Sequence, residues 1–219
     1  MGSGKAMHTK QCRRGFTLME IIIASIVMVG FFVGVYKVYS AVMKSAKKTN
    51  WSLSAQQWAR NGLTLIREEM QRASDKIEFD GIGKSTITPM PFKINATSPV
   101  PDGGKIAEWY ICIPFKNVEG TEPGAVLKST LTLQGGKVTY ERKKESGDNS
   151  HDPDITRVIM ENVGSFSIDI EPLDVDFSEK GKLVKLGVEL KHPSTTEFPD
   201  TRVIEETAAK VEVEVTKGL

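Results

Sequence analysis

Residues 16–36 constrain this chain more than any other segment. They contain one charged residue, Glu20, and none at all from position 21 to 36. About 20 apolar residues suffice to cross a ~30 Å hydrocarbon layer as a helix. The stretch is therefore long enough to span a membrane. It leaves a polar, β-branched remainder that is long enough for one core and has no second span. The carboxylate is the anomaly. A charge inside an apolar span costs roughly 2–3 kcal/mol or more, so it marks a functional position unless it reaches the interface.

The flanks narrow the reading. Before the span lie Lys5, Lys10, Arg13 and Arg14, with no acid; after it lie Lys37, Lys44, Lys47 and Lys48. The basic residues are balanced on the two sides, so charge alone does not set the orientation. A secretory signal peptide would have a shorter apolar core followed by a small-residue cleavage site. A plain signal anchor has the right length and leaves Glu20 unexplained. The overall balance of +1, with both signs mixed along the chain, gives no nucleic-acid-binding face.

The residues Arg13-Arg14-Gly15-Phe16-Thr17-Leu18-Met19-Glu20 resemble the processing motif of type IV prepilins. That resemblance implies cleavage by prepilin peptidase between Gly15 and Phe16, and N-methylation of Phe16. Glu20 becomes the fifth residue of the mature chain, the position of the glutamate that serves assembly in that family. It also implies an inner-membrane anchor with the C-terminal domain in the periplasm. In a bilayer a lone carboxylate needs a cation or must protonate. The amine of a neighbouring subunit's Phe16 would supply the cation and set the stagger of adjacent helices. Snorkelling of Glu20 to the interface is the competing account.

No proline occurs from residue 16 to residue 88. Gly30 and Gly34 are the weak points of the span, because glycine costs about 1 kcal/mol in a helix. Trp51, Ala55, Trp58, Gly62, Ile66, Met70, Ala73 and Ile77 recur at three- and four-residue steps, which predicts an amphipathic helix continuing over residues 37–80. Val35, Val38, Tyr39, Val42 and Met43 form an earlier apolar stripe that needs partner helices.

Residues 81–219 have a β texture. Leu131, Leu133, Val138 and Tyr140 flank Gln134-Gly135-Gly136-Lys137, a two-residue hairpin signal. Alternating sets include Phe166, Ile168 and Ile170; Val184, Leu186, Val188 and Leu190; and Val211, Val213 and Val215. One face of each strand should be buried. The fold class expected is α+β, with a long N-terminal helix packed on an antiparallel sheet, as in pilins. Domain limits follow as 1–15 leader, 16–36 transmembrane helix, 37–80 helix continuation and 81–219 extracytoplasmic domain.

Catalytic signals are weak. Gly83-Lys84-Ser85 lacks the earlier glycine and the following helix of a phosphate loop. There is no G-x-S-x-G elbow and no C-x-x-C or H-x-x-x-H spacing. His151 and His192 read as surface loop residues beside prolines. Cys12 falls in the leader, and Cys112 reads as an inert core thiol. Asp148, Asn149, Asp152 and Asp154 have oxygen-ligand spacing for Ca²⁺ but lack an EF-hand frame. No enzymatic activity and no cofactor are expected, calcium being the one candidate.

The segment Ala59-Arg60-Asn61-Gly62-Leu63-Thr64-Leu65-Ile66-Arg67-Glu68-Glu69-Met70-Gln71-Arg72-Ala73 is similar to the helix of J-type minor pseudopilins of type II secretion, and next to that of W-type minor pilins. Glu161-Asn162-Val163-Gly164-Ser165-Phe166 is similar as well. The resemblance implies a role in initiating or capping a periplasmic pseudopilus for protein export. The partners would be other minor and major pseudopilins or pilins, the prepilin peptidase and the inner-membrane assembly platform. A minor pilin of a surface type IV pilus, serving adhesion, motility or DNA uptake, is the alternative. A membrane-tethered sensor or enzyme is the reading from another class.

Overall fold

The computed structural model describes residues 16–79, 85–96, 98–115, 123–147, 153–172 and 182–217. The chain divides into two units, Met1–Lys47 and Lys48–Leu219. One helix, α1 (Leu18–Gln71), contributes residues to both.

In the first unit every described residue is helical from Leu18 on, and the apolar side chains are exposed. This part of α1 contains a window with a mean hydropathy of 2.5, long and apolar enough to cross a membrane. Such a surface is stable in hydrocarbon, where the helix satisfies its own backbone groups.

In the second unit α1 buries Ala55, Ala59, Gly62, Leu63, Ile66 and Met70. The chain then forms β1 (Lys76–Phe79), β2 (Ser85–Thr88), β3 (Phe92–Ile94), β4 (Lys105–Phe115), β5 (Pro123–Gln134), β6 (Lys137–Gly147), β7 (Ile155–Met160), β8 (Val163–Pro172), β9 (Lys182–Lys191), β10 (Arg202–Val211) and β11 (Val215–Lys217). These make a six-stranded sheet in the order β11-β3-β4-β5-β6-β7, a three-stranded sheet β10-β9-β8 and the pair β1-β2. The α+β class holds. All pairs are antiparallel except β11 with β3. That exception arises where the chain leaves β10 and buries Val211 and Val213; Phe92 N–H then donates to Glu214 O (2.8 Å), which aligns β11 alongside β3.

Phe92, Trp109 and Tyr140 stack in the core in that order, with ring centroids 5.3 and 5.9 Å apart in successive pairs. From the other sheet Phe166, Ile168, Val184, Leu186, Val188 and Leu190 join the same cluster. The hairpin forms where the glycines require it. Gly135 (φ 57) and Gly136 (φ 68) both occupy the left-handed region, and Gln134 pairs with Lys137.

Two expectations need correction. The helix ends at Gln71 rather than near residue 80, and the β region begins at Lys76. Its last turn tightens through Arg72 N–H to Glu69 O (3.3 Å) and Ala73 N–H to Met70 O (3.0 Å). Ser74 is then held by β4: its N–H donates to Tyr110 O (3.0 Å), and its hydroxyl accepts from Cys112 N–H (2.8 Å). Asp75 Oδ1 accepts from Met90 N–H (2.9 Å). These contacts capture the backbone that the apolar periodicity assigned to helix. Ile77 therefore sits in a strand, and it is exposed.

The second correction is His192, which is buried rather than a surface loop residue. Its ring lies 4.8 Å from that of Trp51 and 4.6 Å from that of Phe198. Its Nδ1 accepts from Ser194 N–H (3.0 Å), so Nε2 carries the proton of the neutral ring.

Candidate functional site

The N-terminal turn of α1 is the first region of interest. Thr17 is the residue before the helix, and Glu20 is its third. Thr17 N–H donates to Glu20 Oε2 (2.8 Å), and so does the Thr17 hydroxyl (3.1 Å). Glu20 N–H donates in return to Thr17 Oγ1 (3.3 Å). This is a reciprocal capping box. The carboxylate also sits at the positive end of the helix dipole. Glu20 is thus held by its own chain, by a partner that neither snorkelling nor intersubunit pairing includes. The T-x-x-E spacing was visible in the sequence. Phe16 is exposed beside this turn, while residues 1–15, Gly15 among them, lie outside the described residues.

Further along, Gly30 and Gly34 have open space where a Cβ would stand. They line an apolar groove with Phe31, Val35, Val38, Tyr39 and Val42. Val35, Val38, Tyr39, Val42 and Met43 are all exposed.

In the second unit, polar contacts tie α1 to both larger sheets. On one flank Gln56 Nε2 donates to Glu205 Oε1 of β10 (2.8 Å), and Arg60 Nε lies 3.2 Å from Glu205 Oε2. On the other flank Glu69 Oε2 accepts from the Tyr140 hydroxyl (2.6 Å), and Arg142 Nη1 approaches the same oxygen at 3.5 Å. Trp109 Nε1 donates to the Glu69 carbonyl (3.0 Å). Burial pushes the Tyr140 hydroxyl pKa well up, and the bond to Glu69 adds to the rise. Sequence periodicity does not single out Glu69 and did not reveal this anchor.

Trp58, placed on the core stripe by its spacing, is exposed. It lines a surface groove with Asn61, Gly62, Leu65, Arg157, Val158 and Ile159. At the floor of that groove helix and strand are in close contact. A Cβ on Gly62 would stand 2.7 Å from Met160 Cγ and 3.0 Å from Ile159 Cγ2.

Cys112 is half-buried, and burial pushes its thiol pKa up to about 11 despite the hydrogen bond to Ser74. Of the calcium candidates, Asp148, Asn149 and Asp152 lie outside the described residues, as do His151, Gly83 and Lys84. Asp154 Oδ1 accepts from Lys144 N–H (2.8 Å). Among the described residues no cluster of His, Cys, Asp and Glu is arranged to hold a metal. Comparison of the sequence with protein-family models returned no match, and comparison with curated proteins returned none either.

Proposed function

We propose that this chain is a type IV pilin-like membrane protein acting as a minor pseudopilin of type II secretion, where it helps initiate or cap the periplasmic pseudopilus. The single observation that carries this reading is the joined pattern of basic leader, Gly15, Phe16, Glu20 and uninterrupted apolar helix. Each part has a physical task. The leader holds the N-terminus in the cytoplasm until the peptidase cuts after Gly15. Cleavage creates the amine on Phe16. Glu20 exchanges its intrachain cap for the amine of a neighbouring subunit, which sets the stagger. The exposed apolar residues of the span are covered by lipid and then by neighbouring helices. The function is one of assembly, with other pseudopilins, the prepilin peptidase and the inner-membrane platform as partners and no reaction catalysed.

Mass spectrometry of the protein from native membranes tests the processing. The expected terminus is a methylated Phe16; a terminus at Met1, or one beyond the apolar run, would sink the proposal. Gly15→Val should block cleavage by crowding the scissile bond. Subunit quantification of the purified assembly tests the minor role. Low copy number is expected; abundance equal to the major subunit would exclude it. Co-isolation with a retraction motor rather than an outer-membrane secretin would move the chain to a surface pilus.

A further inference from the structure

The groove beside Trp58 combines three features. Its first wall is the helix flank of exposed Trp58 and Asn61 and half-buried Leu65. Its second wall is β7, the terminal strand of the six-stranded sheet. β7 pairs with β6 on one side, and among the described residues no strand pairs with the other. The third feature is charge. Arg157 is exposed at the rim and makes no ion pair among the described residues.

The local register explains the groove. Met160 pairs with Val138 and Val158 with Thr139, so Ile159 is the extra residue of a bulge. A bulge re-aims side chains at a sheet edge. Here Arg157, Val158 and Ile159 all line the groove, which encloses about 220 Å³. Gly62 brings α1 against Met160 and Ile159 and closes the floor. Val158 and Trp58 are apolar and exposed, at 48% and 57%. An exposed tryptophan in an apolar groove is the kind of anchor that concentrates binding energy.

From these features we infer that the groove is a docking site for an extended polypeptide segment from a partner protein, added as a strand along β7. A strand is the occupant because its backbone satisfies the outward N–H and C=O groups of the edge, which a helix cannot do. Alternate apolar side chains of the segment pack on Trp58 and Val158, and an Asp or Glu of the segment pairs with Arg157. The guanidinium geometry favours a carboxylate, which it can hold with two hydrogen bonds.

The test is a displayed library of eight-residue segments with apolar residues at alternate positions, selected on the full chain in dodecylmaltoside micelles. Enrichment of an acidic residue at one fixed position is expected. The best peptide, made with a fluorescent label, should bind Trp58→Ala about thirty-fold more weakly. It should bind Arg157→Glu weakly as well, and exchanging its acid for lysine should restore binding to that variant. Both substitutions are at exposed positions, and charge-swap rescue shows that the variant is folded. Methylating alternate backbone amides of the peptide should abolish binding. No enrichment, equal binding to Trp58→Ala, no rescue by the swap, or indifference to amide methylation would each overturn the inference.

Discussion

Glu69 on the last turn of α1 accepts a 2.6 Å hydrogen bond from the hydroxyl of Tyr140 on β6. Ser129 Oγ lies 3.1 Å from the same hydroxyl, and Arg142 faces the same carboxylate. Removing the hydroxyl by Tyr140→Phe should cost about 1–2 kcal/mol, because a part-buried carboxylate oxygen loses a strong donor. Glu69→Ala should cost more, about 3 kcal/mol, because the Tyr140 hydroxyl and the buried Arg142 guanidinium both lose a carboxylate partner. Denaturant titration of the full chain in detergent, followed by near-ultraviolet circular dichroism, measures both.

The same tyrosine gives a pH signature. Its folded pKa is raised above the unfolded value of 10.0, burial being the first cause. The contribution of this group to stability is therefore complete below about pH 10 and is lost as pH rises beyond it, where the unfolded chain ionises first. Wild type should lose stability above pH 10 more steeply than Tyr140→Phe. Parallel curves for the two proteins would show that the hydroxyl is not held as described.

At Gly62 α1 lies close against β7. A Cβ there would meet Met160 Cγ at 2.7 Å, and Met160 is itself buried. Gly62→Val should destabilise by about 2–3 kcal/mol through overpacking, despite the low helix propensity of the glycine it replaces. A thermal or denaturant midpoint equal to wild type would contradict the close approach.

The strands were legible because their chemistry is local. Gly135 and Gly136 allow one kind of turn, and the alternation at Phe166 and Ile168, and from Val184 to Leu190, fixes which face is buried. The end of α1 was not legible, because Ser74 and Asp75 find partners on Tyr110, Cys112 and Met90, all distant in sequence. Trp58 shows the same limit from the other side. Helical spacing puts it on the core stripe, but it is exposed and lines the groove beside β7. His192 was assigned to the surface because it lies in a polar loop; its burial depends on Trp51, which comes from another part of the chain. At the N-terminus the uninterrupted apolar run was enough to predict a long, exposed apolar helix. The part played by Thr17 lies in the T-x-x-E spacing, which satisfies Glu20 within its own turn.

Cys112 offers a chemical test of its environment. Only the thiolate reacts with alkylating reagents, and a thiol pKa of about 11 leaves little thiolate near neutrality. In a Cys12→Ser chain, iodoacetamide labelling should be slow at pH 8, accelerate toward pH 11, and become fast at pH 8 in denaturant. Rapid labelling of the folded protein at pH 8 would place Cys112 in a different setting.

The capping box makes the role of Glu20 separable into two parts. Glutamine can accept the same hydrogen bond from Thr17 N–H, so Glu20→Gln keeps the box and removes the charge. Thr17→Ala does the reverse, keeping the charge at a cost of about 1 kcal/mol in helix capping. If intersubunit pairing is the function, Glu20→Gln and Glu20→Ala should insert into membranes at least as well as wild type, since a charge has been removed from the span. Both should then fail to enter the assembled complex, while Thr17→Ala enters it. Carbonate extraction measures insertion, and co-purification with partner subunits measures assembly. The opposite pattern, in which Glu20→Gln assembles normally and Thr17→Ala does not, would assign the glutamate to capping its own helix and end the pairing hypothesis.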